Sequence, residues 1–189
     1  MIGSGSMKAN LLRYQIKSCF SATDKPFGVN ILLLRDGAEE LINVTIEEGV
    51  KIVFTSADNP KTFIEKLKKN NINVVHVVPS VKFGLKAEKV GYDAVVGEGV
   101  EAGEHNGVDE ITTLALIPQL VDALRLPVIA AGGIADGRWI LTTLSLGADG
   151  VQLGTRFATT IESSAHQNYK LKIVKASDNE TVLALKKLD

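Results

Sequence analysis

Six short apolar runs punctuate the chain, at 28–33, 51–55, 73–78, 94–96, 127–131 and 150–153. They are rich in β-branched residues and lack the polar alternation of a strand with one wet face. Each therefore predicts a strand covered on both sides, as in a parallel sheet. Their starts lie 23, 22, 21, 33 and 23 residues apart, room for a strand, a crossover helix and two short loops. Between the runs the apolar positions change to helical spacing. Leu41, Ile42, Thr45 and Ile46 share one face of a helix predicted over 38–49 and closed by Gly49. Further helices are predicted over 59–67, opened by Asn59 and Pro60, and over 82–90, 117–124 and 139–146.

Repeated βα units fit either a (β/α) barrel or an open doubly wound sheet. A doubly wound dinucleotide fold needs its glycine-rich turn after the first strand. Here the glycine signals follow the late strands, as Gly132-Gly133 and Gly154-Thr155, where barrels bind phosphate. The expected fold is an α/β protein of the TIM-type (β/α)8 barrel class, one domain over 1–189 without a linker.

Composition narrows the function classes. Among 189 residues, 45% are hydrophobic and 23% charged, with a formal net charge of -1. That balance argues against a basic nucleic-acid binder. The single cysteine, Cys19, excludes a disulfide framework and a cysteine-based zinc site. No apolar run approaches the ~18 residues of a membrane span, and no signal peptide opens the chain. A soluble cytoplasmic protein without a nucleic-acid or membrane partner is expected. The glycines are in excess, 17 of them or about 9%, against an average near ~7%.

Three clusters carry candidate chemistry. The segment from Glu98 to Gly107 follows a strand and holds three glycines, three carboxylates and His105. Glycines let backbone N–H groups approach an anionic or flat ligand, and a loop histidine is either a base near neutral pH or a surface residue. Gly132-Gly133 ends a strand just before a helix, which suits an anion or simply makes a tight turn. Gln152-Leu153-Gly154-Thr155 ends the next strand and completes a phosphate cradle. Asn30 interrupts an apolar strand near its end and faces a ligand there. Lys82 reaches the same rim or decorates a helix surface. His76 reads as a satisfied core residue and His166 as solvent-facing.

Together, Val77-Val78-Pro79-Ser80-Val81, Glu98-Gly99-Val100-Glu101-Ala102-Gly103, His105-Asn106-Gly107, the run from Pro127 to Arg138 and Gln152-Leu153-Gly154-Thr155-Arg156 resemble the nitronate monooxygenase family. That family was formerly called 2-nitropropane dioxygenase and includes flavin-dependent enoyl-acyl-carrier-protein reductases. The resemblance implies a barrel that binds FMN on a rim formed by the loops after strands near 30, 99, 133 and 155. By the resemblance, Gly132, Gly133, Gly154 and Thr155 hold the FMN phosphate, and Asn30, Glu98, Gly103 and Gln152 surround the flavin and ribityl chain. His105 matches the catalytic histidine; no metal is implied.

The resemblance also makes the barrel incomplete. Ile2-Gly3, ahead of a Gly-Ser loop, stands for the second barrel strand, so the first βα unit and the family's C-terminal segment have no counterpart. Glu104 replaces a glycine, Asp58 stands in a usual Ala-Gly-Asn-Pro, and Trp139 replaces a small residue. The expected activity is FMN-dependent oxidation of nitronates or nitroalkanes with oxygen. Enoyl-thioester reduction is the alternative, and a non-catalytic remnant that binds FMN or phosphate weakly or not at all is the third reading. Partners would be a small-molecule substrate and a second copy covering exposed barrel edges.

Overall fold

The computed structural model describes residues 1–57 and 59–183; Asp58 and 184–189 lie outside the described residues. Seven parallel strands form one sheet in sequential order. They are β1 (Ile2–Gly3), β2 (Gly28–Leu32), β3 (Ile52–Ser56), β4 (Asn73–Val78), β5 (Ala94–Glu98), β6 (Val128–Ala131) and β7 (Gly150–Gln152). Helices α1 (Ala9–Ala22), α2 (Ala38–Glu47), α3 (Ile64–Lys69), α4 (Val81–Val90), α5 (Thr113–Ala123) and α6 (Gly137–Ser145) connect them, and α7 (Thr155–Ala158) and α8 (Gln167–Lys175) follow β7. All six predicted strands are present, and Ile2–Gly3 pairs with Val29 and Asn30 as a seventh. Among the described residues the outermost strands, β1 and β7, have one sheet neighbour each, so the sheet is an open, curled part of a TIM-type barrel.

Strand alternation builds two cores. Val29, Ile31, Val53, Val74, Val95, Val128 and Ala130 join Leu12, Ile16, Leu41, Ile42, Leu116, Ile117 and Leu120 in the layer between sheet and helices. The intervening positions, Phe54, Val75, Val77, Ala94, Val96, Ile129 and Ala131, form a second, smaller cluster on the concave face. A parallel strand has no wet face, which is why these runs lacked alternation.

Three helical expectations change. Helix α3 starts at Ile64 rather than near Asn59. Asn59 instead closes a turn, accepting from the Lys61 amide through Oδ1 and from the Thr62 amide through its carbonyl. The Pro60 carbonyl, which a helix would need, accepts from the Tyr92 hydroxyl at 3.0 Å. Helix α5 begins at Thr113, ahead of the expected 117, and carries Pro118 inside. Burial of Leu116, Ile117 and Leu120 offsets the backbone bond that proline removes. Helix α1 was not anticipated, because Leu12 and Ile16 are its only fully buried side chains and so narrow a stripe gives little periodicity.

His76 is a core residue, as expected. It is 3% exposed and points to the helix layer, with Nδ1 2.7 Å from Thr55 Oγ1, which is 3.0 Å from the Tyr92 hydroxyl. Burial pushes the imidazole down to about 4, Lys86 adding to the effect and hydrogen bonding at Thr55 opposing it. The unfolded chain takes up this proton near 6.5, so the contribution of His76 to stability is full above that pH and is lost as pH falls towards 4. Denaturant titrations of wild type and His76→Gln are expected to diverge over this window. Wild type should lose about 2–3 kcal/mol relative to the variant between pH 6.5 and 4; parallel curves would show that His76 is not the acid-sensitive group.

Candidate active site

The strands end at one rim, and alternation decides which side chains look into it. Because Val29 and Ile31 face the helices, Asn30 faces the concave side; Glu98 and Gln152 do so for the same reason. Glu98 is in register with Ala131, and Ala131 with Gln152, which sets the carboxyl and the amide in one layer two strands apart. All three polar residues are half-buried, and Glu98 and Gln152 lie above the apolar layer of Val96 and Ile129. Asn30 lies across the sheet, in register with Phe54. Its carbonyl accepts from Ser4 Oγ at 2.6 Å, and Arg35 Nη1 donates to the carbonyls of Ser4 and Gly5 at 2.8 and 3.0 Å. These bonds fix the Gly-Ser loop after β1 to the strand beside it.

The glycine turns converge on the other side. Gly132 and Gly133 both have positive φ, 108° and 66°, the region that glycine enters without strain. A Cβ on Gly132 would lie 2.6 Å from Thr113 Oγ1 and 3.0 Å from the Gly99 carbonyl oxygen. Gly99 is equally constrained, since its Cβ would collide with Thr113 and Glu101. Gly103 and Thr155 bring the loops after β5 and β7 together: a Cβ on Gly103 would sit 3.5 Å from Thr155 Oγ1. Gly154 has open space around it, and Gly133, Gly154 and Thr155 are exposed.

His105 is exposed on the same loop. The next residue, Asn106, holds that loop by donating through Nδ2 to the carbonyls of Val100 and Ala102, both at 2.9 Å. Glu104 is exposed, Trp139 packs half-buried against the main core, and Lys82 is exposed in the first turn of α4. His166 is exposed and its Nδ1 accepts from the Asn168 amide at the start of α8. Two shallow surface depressions are bordered by Lys61, Phe63 and Lys69 and by Asn168, Leu171 and Glu180, none of them a residue named for the rim.

Sequence reasoning did not single out Thr113 and Glu101. The Glu101 carboxylate accepts from the Thr113 amide at 2.9 Å and from its hydroxyl at 2.9 Å, capping α5 from a neighbouring loop and complementing the helix dipole. Thr112-Thr113 ahead of an apolar run is a helix-start signal and marked this end of α5. The twelve-residue reach of Glu101 had no local signal.

Burial raises the Glu98 carboxyl to about 7, and the charge of Glu104 adds to the rise. The unfolded chain releases this proton near 4.5. The protonated form therefore contributes its full stability below pH 4.5, and the contribution is lost as pH rises through 7. Glu98→Gln is expected to raise stability at pH 8 by about 1–3 kcal/mol and to change little at pH 4.5, because solvent at the open rim screens part of the cost. An equal effect at both pH values would remove charge as the cause. Gly132→Ala is expected to cost about 2 kcal/mol or more through its φ and the Thr113 contact. Gly154→Ala, with nothing within 4 Å of the new Cβ, should stay within about 0.5 kcal/mol. Chemical denaturation measures both.

Comparison with known proteins places this arrangement. The family model for nitronate monooxygenase matches residues 1–187. A probable nitronate monooxygenase from Staphylococcus saprophyticus is 34% identical over 96% of this chain and 64% of its own length. The solved structure of FabK from Thermotoga maritima is 47% identical with a TM-score of 0.90, over 95% of this chain and 57% of that one. Nitroalkane oxidase from Streptomyces ansochromogenes is 26% identical with a TM-score of 0.83, over 90% and 61%. The chain thus spans about three-fifths of the length of these proteins. The strand order, the glycine turns after β6 and β7 and these matches agree: the chain belongs to the nitronate monooxygenase family.

Proposed function

We propose that this chain carries the FMN-binding rim and the catalytic histidine of an FMN-dependent oxidoreductase of the nitronate monooxygenase type, taking a nitronate or nitroalkane as substrate and oxygen as acceptor. The observation that carries the reading is the convergence of three loops at the strand ends: Gly132-Gly133 after β6, Gly154-Thr155 after β7, and the loop from Gly99 to Gly107 with His105. The site fits the group. Gly133 and Gly154 are exposed with their backbones accessible, and a side chain at Gly154 would occupy space that nothing else fills.

When bound, FMN supplies redox chemistry between an organic donor and oxygen. The residues of the chain do the rest. Gly132, Gly133, Gly154 and Thr155 offer amide and hydroxyl donors to the phosphate, while Asn30, Gly103 and Gln152 line the path of the ribityl chain and ring. Glu98, protonated up to about pH 7, offers an O–H donor where a carboxylate would repel electron-rich atoms. His105 takes the proton from the carbon beside the nitro group when the substrate arrives as the neutral nitroalkane. A nitronate has already lost that proton and does not need the base.

A second reading is enoyl-thioester reduction with a nicotinamide cofactor as the electron source. It is favoured by the higher identity to FabK, 47%, than to nitroalkane oxidase, 26%.

Protein mixed with FMN and then freed of unbound flavin by gel filtration is expected to stay yellow and to consume oxygen with a nitronate. His105→Ala should lose nitroalkane turnover by 100-fold or more, in line with the ~10²–10⁴ contribution of a general base, and retain most nitronate turnover. Gly154→Ala should weaken FMN binding while leaving stability unchanged. Nicotinamide oxidation with an enoyl thioester, without oxygen uptake on nitronate, would transfer the function to the second reading. A protein that takes up no FMN would overturn both and leave a non-catalytic member of the family.

A further inference from the structure

We propose that Thr113 and Glu101 are positioning residues that aim the backbone amides of the Gly132-Gly133 turn at the FMN phosphate and so set the preference for the phosphorylated flavin. This rests on the FMN reading above.

A trans peptide holds its C=O and N–H in opposite directions, so fixing the carbonyl of one residue fixes the amide of the next. The Gly132 carbonyl lies 3.0 Å from Thr113 Oγ1, which turns the Gly133 amide away from Thr113, towards the exposed side of the turn. The Ala131 carbonyl accepts from the Gly99 amide at 3.0 Å and lies 3.3 Å from Thr113 Oγ1, which sets the Gly132 amide in the same way. Two successive planes thus back onto Thr113, the first held by the Gly99 amide and the second set against Oγ1.

Thr113 is itself held. It is fully buried, and its hydroxyl, with one proton, faces the Glu101 carboxylate at 2.9 Å as well as the two carbonyls. Glu101 also binds the Thr113 amide through both oxygens, at 2.9 and 3.2 Å. The carboxylate thus holds the Thr113 backbone and side chain together, with Oγ1 set against the two carbonyls. Three glycines surround the pair because nothing larger fits: a Cβ on Gly99 or Gly132 would strike Thr113, and one on Gly133 would sit 3.0 Å from Glu101 Cβ. A pure turn would need glycine only where φ is positive. Gly99 is not among the positive-φ glycines, and its contact with the pair accounts for it.

The test is a titration of the chain with FMN and with riboflavin, which differ only in the phosphate, using wild type, Thr113→Val, Thr113→Ser and Glu101→Gln. Thr113→Val should weaken FMN tenfold or more and move riboflavin by less than twofold. Thr113→Ser, which keeps the hydroxyl, should stay within threefold of wild type for both. Glu101→Gln should show the valine pattern at smaller size, and it carries the test if the valine variant does not fold. Hydrogen exchange in the flavin-free protein gives a second readout, with the amides at 132–134 exchanging faster in Thr113→Val than in wild type. Equal loss of FMN and riboflavin, or no loss of either, would overturn the positioning role while leaving FMN binding intact. Wild type that does not prefer FMN to riboflavin would overturn the phosphate-site reading itself, and this proposal with it.

Discussion

Everything at the rim depends on the two-sided burial of a parallel sheet. Each strand residue faces either the helix layer or the concave side, and the two sets do not mix: Val29 and Ile31 pack among Leu12, Ile16 and Leu41, while Phe54, Val75 and Val96 pack among themselves. A one-residue slip in any strand would exchange the two sets. It would bury the Asn30 amide or the Glu98 carboxyl against leucines and turn a valine into the site. The helix layer, by fixing the register, therefore also fixes which polar groups meet at the strand ends.

That constraint explains what was legible in the sequence. Strands covered on both faces appear as unbroken β-branched runs, and glycines follow the two late strands, so the fold class could be read directly and the rim residues could be named. Helices were less legible in proportion to how little they bury. The two buried leucine and isoleucine side chains of α1 leave it almost pattern-free, and α3 lost its first turn because Tyr92, far along the chain, takes the Pro60 carbonyl. The Thr113–Glu101 contact was illegible for a related reason. It joins the loop after β5 to the first residue of α5, behind a Gly132 turn that reaches it only once β5 and β6 are paired.

The glycines of the rim acquire two roles that a sequence cannot separate. Gly154 stands in open space, so nothing in the protein resists a side chain there. Gly99 and Gly132 are required by the protein itself, because their neighbours on the inner side leave no room. The protein's own packing accounts for the second kind and not for the first, and the two lie on adjacent strand ends.

The three histidines also divide by location, and this changes how chemical modification is to be read. His76 is sealed between sheet and helices with its Nδ1 engaged, whereas His105 and His166 are open to solvent. A histidine-directed reagent therefore has two targets rather than three. One lies on the loop beside the glycine turns. The other, through Nδ1, accepts the amide bond that starts α8, so its modification loosens a helix without touching the rim. Loss of one imidazole to such a reagent is therefore not by itself a signature of His105.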